Sequence, residues 1–164
     1  MGLLHVLLFL LPFNFLRVGL LRIIGSKVGE NTFLARTIKY DFPWRLSIGN
    51  KSVISANVYL DCRGGSISIG DCSDISIDCK IFTLTHDIHS SSLEIKGSDV
   101  TIGERVWICT GAVLLPGSSI SDGCVVGANS VFSGASDPNS LYLGIMAKHV
   151  KYLNEDRAIN VRKK

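Results

Sequence analysis

The sequence predicts an all-β fold, a parallel solenoid of short strands with a short N-terminal helix before it and a C-terminal tail after it. Three observations carry that expectation. Ile102, Ile108, Leu114, Ile120, Val126 and Phe132 recur every sixth residue and are all large and apolar. Four positions after each comes Val106, Ala112, Ser118, Cys124, Ser130 or Ser136, all small or slim. With 46% apolar residues in the chain, six apolar hits in a preset register would arise about 1% of the time by chance. Third, sixteen glycines against four prolines suit tight corners and disfavour a helical bundle, while the apolar content excludes disorder. A period of six with one large and one small inward residue means short strands joined at tight corners, each stacking on its copy in the next coil. An antiparallel sandwich would instead alternate with period two and have loops of irregular length.

Taken in chain order, residues 1–23 form an apolar segment, uncharged from Gly2 to Leu16 and followed by Arg17 and Arg22. Pro12 and Asn14 interrupt it, it lacks a basic start and a small-residue cleavage site, and a spanning helix needs about 20 apolar residues. Two readings stand: a helix packing over the end of the domain, which is favoured, or an amphipathic segment lying in the membrane surface. Residues 24–143 form the solenoid. The hexad register extends upstream through Ile69, Ile75 and Ile81 with Ser73, Cys79 and Thr85, then Ile48 and Ile54 with Ser52 and Val58. Val28 with Thr32 and Leu34 with Ile38 make earlier, looser coils. Gly49, Gly70, Gly103 and Gly127 mark corners where φ turns positive or backbone approaches backbone. Two interruptions break the period: three extra residues around Gly64-Gly65-Ser66, and a loop over 87–101 that leaves directly after Thr85-His86-Asp87. Residues 144–164 form a basic tail.

Charge and cysteines bound the function. Residues 1–60 carry seven Lys/Arg against two acids, 61–147 four against ten, and 148–164 six against two. That is too weak for a nucleic-acid footprint, although a basic tail suits a phosphorylated cofactor. The five cysteines are odd in number and contain no C-x-x-C pair, so neither a disulfide framework nor a four-thiolate zinc site is expected, and a reducing cytoplasm is the default. Cys79 and Cys124 fall at the small inward position, where a thiol is a buried hydrophobe rather than an acyl-enzyme nucleophile.

Several motifs carry a family resemblance. Leu84-Thr85-His86-Asp87 before the loop, Val106-Trp107-Ile108, Leu115-Pro116-Gly117, Val126-Gly127-Ala128-Asn129-Ser130 and Gly144-Ile145-Met146-Ala147-Lys148 resemble the hexapeptide-repeat acyltransferases. Within them the chain is most similar to sugar and polysaccharide O-acetyltransferases of the maltose, galactoside and colanic-acid types. Pro43-Trp44 and Leu21-Arg22-Ile23-Ile24-Gly25 resemble the last of these.

The resemblance implies a left-handed parallel β-helix, contrary to the usual crossover hand, assembled as a homotrimer with sites between subunits and acetyl-CoA as donor. It implies a cytoplasmic enzyme, peripheral to the inner membrane if the leader touches lipid, acting on a sugar or a lipid-linked saccharide precursor. His86 would be the general base, since an imidazole titrating near ~6.5 can take the proton of an attacking hydroxyl. Asp87 would orient it or cap a turn, Asp61 would bind the acceptor or form a corner, and His89 would help the acceptor or be solvated. Coenzyme A would lie along Trp107, Thr110, Ala128, Ser133 and Gly134, its phosphates meeting Lys148 and Lys151. The chain departs from its relatives in having Ser133-Gly134 for Thr-Lys and Met146 for Pro, which implies a weaker grip on coenzyme A or a phosphate contact from Arg157 or residues 162–164.

Two other readings are weighed against this one. Relatives resembling γ-type carbonic anhydrases hold zinc with three histidines; here the third ligand to join His86 and His89 would be His149 or a partner's residue, and no metal is expected. A non-catalytic scaffold would lose the histidine and its loop, and both are present.

Overall fold

The computed structural model describes residues 2–155, with side chains from Val6 onward. Two helices, α1 (Gly2–Leu10) and α2 (Asn14–Ile23), precede five coils of three short strands each. The strands stack into three parallel faces. The first holds Lys27–Val28, Leu46–Ile48, Ile67–Ile69, Val100–Ile102 and Ser119–Ile120; the second runs from Phe33–Leu34 to Val125–Val126; the third runs from Lys39–Asp41 to Val131–Phe132. A last parallel strand, Ser140–Leu143, extends the second face, and Lys148–Tyr152 folds back antiparallel on it.

The hexad register builds the core. Val28, Ile48, Ile69, Ile102 and Ile120 pair one above another down the first face. Leu34, Ile54, Ile75, Ile108 and Val126 do so on the second, and Tyr40, Leu60, Ile81, Leu114 and Phe132 on the third. All fifteen are buried. Stacking identical positions in this way buries a continuous column that no single coil could bury alone.

The small position has a second reason besides room. Thr32, Ser52 and Ser73 donate their hydroxyls to the carbonyls of Gly49, Gly70 and Gly103 at 2.6, 2.8 and 2.8 Å, each one coil further on. These hydroxyls satisfy backbone groups at a corner where no strand partner exists. Thr85 departs from the pattern: it is exposed on a hairpin, and Thr83 takes the inward place.

The corners also sort the two roles expected of glycine. Gly49, Gly70 and Gly103 do not have positive φ; they are close approaches, since a Cβ on Gly70 would lie 2.6 Å from the backbone of Gly103. Positive φ falls two residues later in the hexad, at Asn31, Lys51, Asn57, Cys72, Asp78, Arg105, Gly111, Gly117, Gly123 and Asn129. Asn, Asp and Gly supply most of these positions because they enter the left-handed region at least cost.

The helical segment closes the first coil. Asn14 donates its side-chain amide to Thr32 O at 2.8 Å and accepts from Leu34 N at 2.9 Å, doing for that edge what a neighbouring strand would do. Arg17, itself buried, donates to Leu34 O at 3.1 and 2.9 Å and to Leu11 O at 2.7 Å. No described helix is long and apolar enough to cross a membrane.

Candidate active site

The long excursion is an antiparallel hairpin, Leu84–His86 paired with Ile95–Gly97, leaving the edge between the third face and the first. It is rooted on the other interruption of the hexads. Gly64 and Gly97 are in backbone contact, and a Cβ on Gly97 would fall 2.0 Å from Gly64 O. The buried hydroxyl of Thr83 accepts from the amides of Gly64 and Gly65, both at 3.0 Å, and donates to Asp61 O at 2.6 Å. Asp99 accepts from Ser66 N at 2.6 Å. The extra residues around Gly64 are thus the seat on which the hairpin stands.

His86 ends the first hairpin strand and is exposed. Its Nδ1 lies 2.7 Å from Leu93 O. A carbonyl can only accept, so Nδ1 carries the proton and Nε2 of the neutral ring presents a free lone pair. Leu93 reaches this position through a left-handed φ of 50°, a conformation uncommon for a side chain of its kind. No sequence signal singled out Leu93.

Asp87 does not orient the ring. Its carboxylate accepts from His89 N at 2.9 Å, so it caps the turn that follows, the ordinary local habit of an Asp side chain. The backbone carbonyl of Leu93 holds the imidazole instead. His89 is exposed on that turn.

Asp61 is wholly buried at the end of its strand, beside Phe82 on the next coil. Arg63 grips it with two bonds, Nε to Oδ1 and Nη2 to Oδ2, both 2.8 Å. Burial alone would raise the Asp61 carboxyl; the side-chain and backbone hydrogen bonds from Arg63 outweigh that and hold it below the usual carboxylate range. Asp41, one coil earlier in the same register, accepts from the Tyr59 hydroxyl and lies 3.8 Å from Arg63 Nε. Burial first, then the bond to Asp41, raises the Tyr59 phenol. Two carboxylates and one guanidinium leave this cluster with a formal excess of one negative charge. Sequence reasoning found Asp61 and missed Asp41, which the coil register stacks beside it, and Tyr59 and Arg63, which lie two residues to either side of it in the chain.

The residues expected along coenzyme A divide between two edges of the prism. Trp107 lies on the second face, its indole N–H donating to Ser76 Oγ at 2.9 Å. Thr110 and Ala128 follow at the corner between the second and third faces, both exposed. Lys148 and Lys151 extend the second face on the final strand, also exposed. Ser133 and Gly134 turn the opposite corner, the one from which the His86 hairpin departs. Met146 adopts φ 59°, which a proline ring fixed near −65° could not. Arg157 and residues 162–164 lie outside the described residues.

Other chemistries find less here. Among the described residues no three of His, Cys, Asp and Glu gather as metal ligands; His149 stacks between Tyr142 and Tyr152 on the second face, away from the hairpin. Burial pushes the Cys62 and Cys79 thiols up to about 12, far from a nucleophilic thiolate.

Comparison with known proteins agrees with this architecture. The family model described as bacterial transferase hexapeptide (six repeats) matches residues 99–134. The Escherichia coli protein WcaF, named as a candidate colanic acid biosynthesis acetyltransferase, is 37% identical over 114 residues, covering 70% of this chain; the chain spans 62% of that relative's length. A maltose O-acetyltransferase from Clostridium difficile superposes with a TM-score of 0.83 at 26% identity, covering 94% of this chain and 84% of its own. A hexapeptide-repeat acetyltransferase from Vibrio cholerae, solved with acetyl coenzyme A, superposes with a TM-score of 0.86 at 25% identity, covering 94% and 85%. The solenoid has the left-handed sense of these proteins.

Proposed function

This chain is a hexapeptide-repeat protein of the acyltransferase superfamily, and from that premise we propose that it moves an acetyl group from acetyl coenzyme A to a hydroxyl of a sugar or of a saccharide precursor. The observation that carries the reading is the His86 imidazole, held by the Leu93 carbonyl in the tautomer a base requires. The acceptor oxygen attacks the thioester carbonyl as its proton passes to Nε2. The tetrahedral intermediate then expels the thiolate of coenzyme A, which takes that proton. A base so placed is worth about 10²- to 10⁴-fold in rate.

Arg63 and Tyr59, with Asp41, stand one coil before the hairpin and serve as the acceptor's polar contacts, while Asp61, wholly buried behind them, takes part by fixing the Arg63 guanidinium; His89 adds another contact from the turn. Trp107, Thr110, Ala128, Ser133, Gly134, Lys148 and Lys151 hold coenzyme A, its phosphates at the two lysines. These residues occupy two edges separated by the whole third face, so one groove takes them all only when an edge of one copy meets the other edge of the next. That supports a closed ring of copies with the sites between subunits, and the resemblance to the acyltransferases makes that ring a homotrimer. The seven cations of residues 1–60 and the uncharged leader are compatible with an enzyme working at the cytoplasmic side of a membrane.

A thiol-release assay with acetyl coenzyme A against mono-, oligo- and nucleotide sugars tests the reading. Release stimulated by one class of saccharide, and lost in His86→Ala, is expected; no stimulated release with any acceptor, or full release in the variant, overturns it.

A further inference from the structure

The helical cap uses only part of its surface. In α1, Leu8 is buried, whereas Val6, Leu7, Phe9 and Leu10 face outward and are roughly half exposed. A helix apolar on every side is stable in water only when something covers its outer face. The exposed surface continues across the break between the helices: Phe13 and Phe15, 59% and 68% exposed, stack at 5.8 Å. At the far end of α2, Ile23 is 84% exposed, and Trp44, half exposed, packs beside Gly25. Large apolar side chains exposed in such number along one short segment mark a contact with a partner or a membrane.

The charges at its border select between these. Residues 1–29 contain no acid, and Arg17, Arg22 and Lys27 are their only formal charges. Arg22 and Lys27 are exposed. Arg36 lies over the Phe9 ring at 5.1 Å and donates to Phe9 O at 3.1 Å, which puts a cation at the rim of the apolar patch. The exposed cations Arg22, Lys27 and Arg36 outnumber the one exposed acid beside them, Glu30, and with the aromatic rings and the bare aliphatic helix they complement an anionic lipid surface, where the apolar face enters the acyl boundary and the cations meet phosphates. A protein interface surrounds its apolar core with a rim of neutral and charged polar groups, and the described outward residues of α1, Val6, Leu7, Phe9 and Leu10, carry none.

We infer that the α1–α2 cap is an interfacial membrane anchor: it lies flat on an anionic bilayer with Leu10, Phe13 and Phe15 in the acyl boundary and Arg22, Lys27 and Arg36 at the headgroups. This does not depend on the acyl-transfer reading, because binding is measured without turnover. Flotation of the full chain with vesicles of phosphatidylcholine, alone or mixed with phosphatidylglycerol, is the test. The chain should float with the anionic vesicles and lose binding as salt rises. Leu10→Ser/Phe15→Ser should weaken partition at least about tenfold, and Lys27→Gln roughly fivefold, with unchanged thermal midpoints showing that the coils remain folded. Failure to float with either vesicle overturns the inference, as does flotation indifferent to the Leu10/Phe15 pair. A fall in oligomer size in that double variant, seen by sedimentation without lipid, would assign the face to a second copy instead and equally overturn it.

Discussion

Replacing Asp87 and replacing His86 should separate two accounts of the same dipeptide. If the Asp87 carboxylate held the imidazole, its loss would cost on the order of 10⁴-fold in turnover, the scale seen for orienting carboxylates. In this structure it accepts one hydrogen bond from His89 N, at 2.9 Å, while Leu93 O takes the ring's Nδ1 proton at 2.7 Å. One hydrogen bond at an exposed turn is worth about 1 kcal/mol net, about fivefold even if all of it reached the rate. His86→Ala removes the base itself and should cost about 10²- to 10⁴-fold, or roughly 3 to 5 kcal/mol of barrier. Initial rates of thiol release at saturating acetyl coenzyme A, for both variants beside the parent, read the difference. A loss above about a hundredfold in Asp87→Ala refutes the turn-cap assignment, and a His86→Ala rate within about tenfold of the parent places the base elsewhere.

Three further outcomes follow from the root of the hairpin. Gly97→Ala sets a Cβ 2.0 Å from Gly64 O and 2.7 Å from Gly64 C; neither backbone can yield without shifting the strand that carries His86, so turnover should fall about a hundredfold, the effect of a misplacement near 1 Å, while far-ultraviolet circular dichroism is kept. Thr83→Val strips a buried oxygen that serves two amides and a carbonyl; leaving them unpaired should cost about 3 kcal/mol in urea unfolding, and a loss under about 1 kcal/mol contradicts the network. The Asp61 carboxyl has a lower pKa folded than unfolded, so its pair with Arg63 stabilises above about pH 4 and is lost as acid takes the pH down through the native value. Asp61→Asn should therefore flatten the acid limb of the stability profile, and an unaltered limb shows that other carboxylates set it.

How far the sequence reveals this molecule differs from part to part. The coils are legible because each repeats one physical requirement: the large residue fills the prism and the small one leaves a corner in which a hydroxyl such as Ser52 reaches the next coil's carbonyl. The left-handed position was written there as well, in Asn57, Asp78, Gly111, Gly123 and Asn129, but Lys51 and Arg105 share it and blur the pattern. The hairpin was visible only as a missing period. That its root is the Gly64-Gly65 insertion is a contact across more than thirty residues, invisible to local spacing. Asp87 shows the limit most clearly: adjacency to His86 suggests a pair, but the strand ends at His86 and the Asp87 carboxylate turns to its own backbone at His89 N, and the proton acceptor came from a backbone carbonyl whose side chain carries no chemistry.

A stack of coils has two open rims, and an open rim is an invitation to polymerise: any chain with a free strand could add a sixth storey and another after it. Asn14 bars this at the starting rim by occupying the Thr32 carbonyl and the Leu34 amide, while Arg17 takes the Leu34 carbonyl, with side chains that cannot be copied by the next molecule. The leader therefore acts as a terminator of fibre growth before it does anything else, and a chain shortened to Thr32 would be expected to precipitate as filaments.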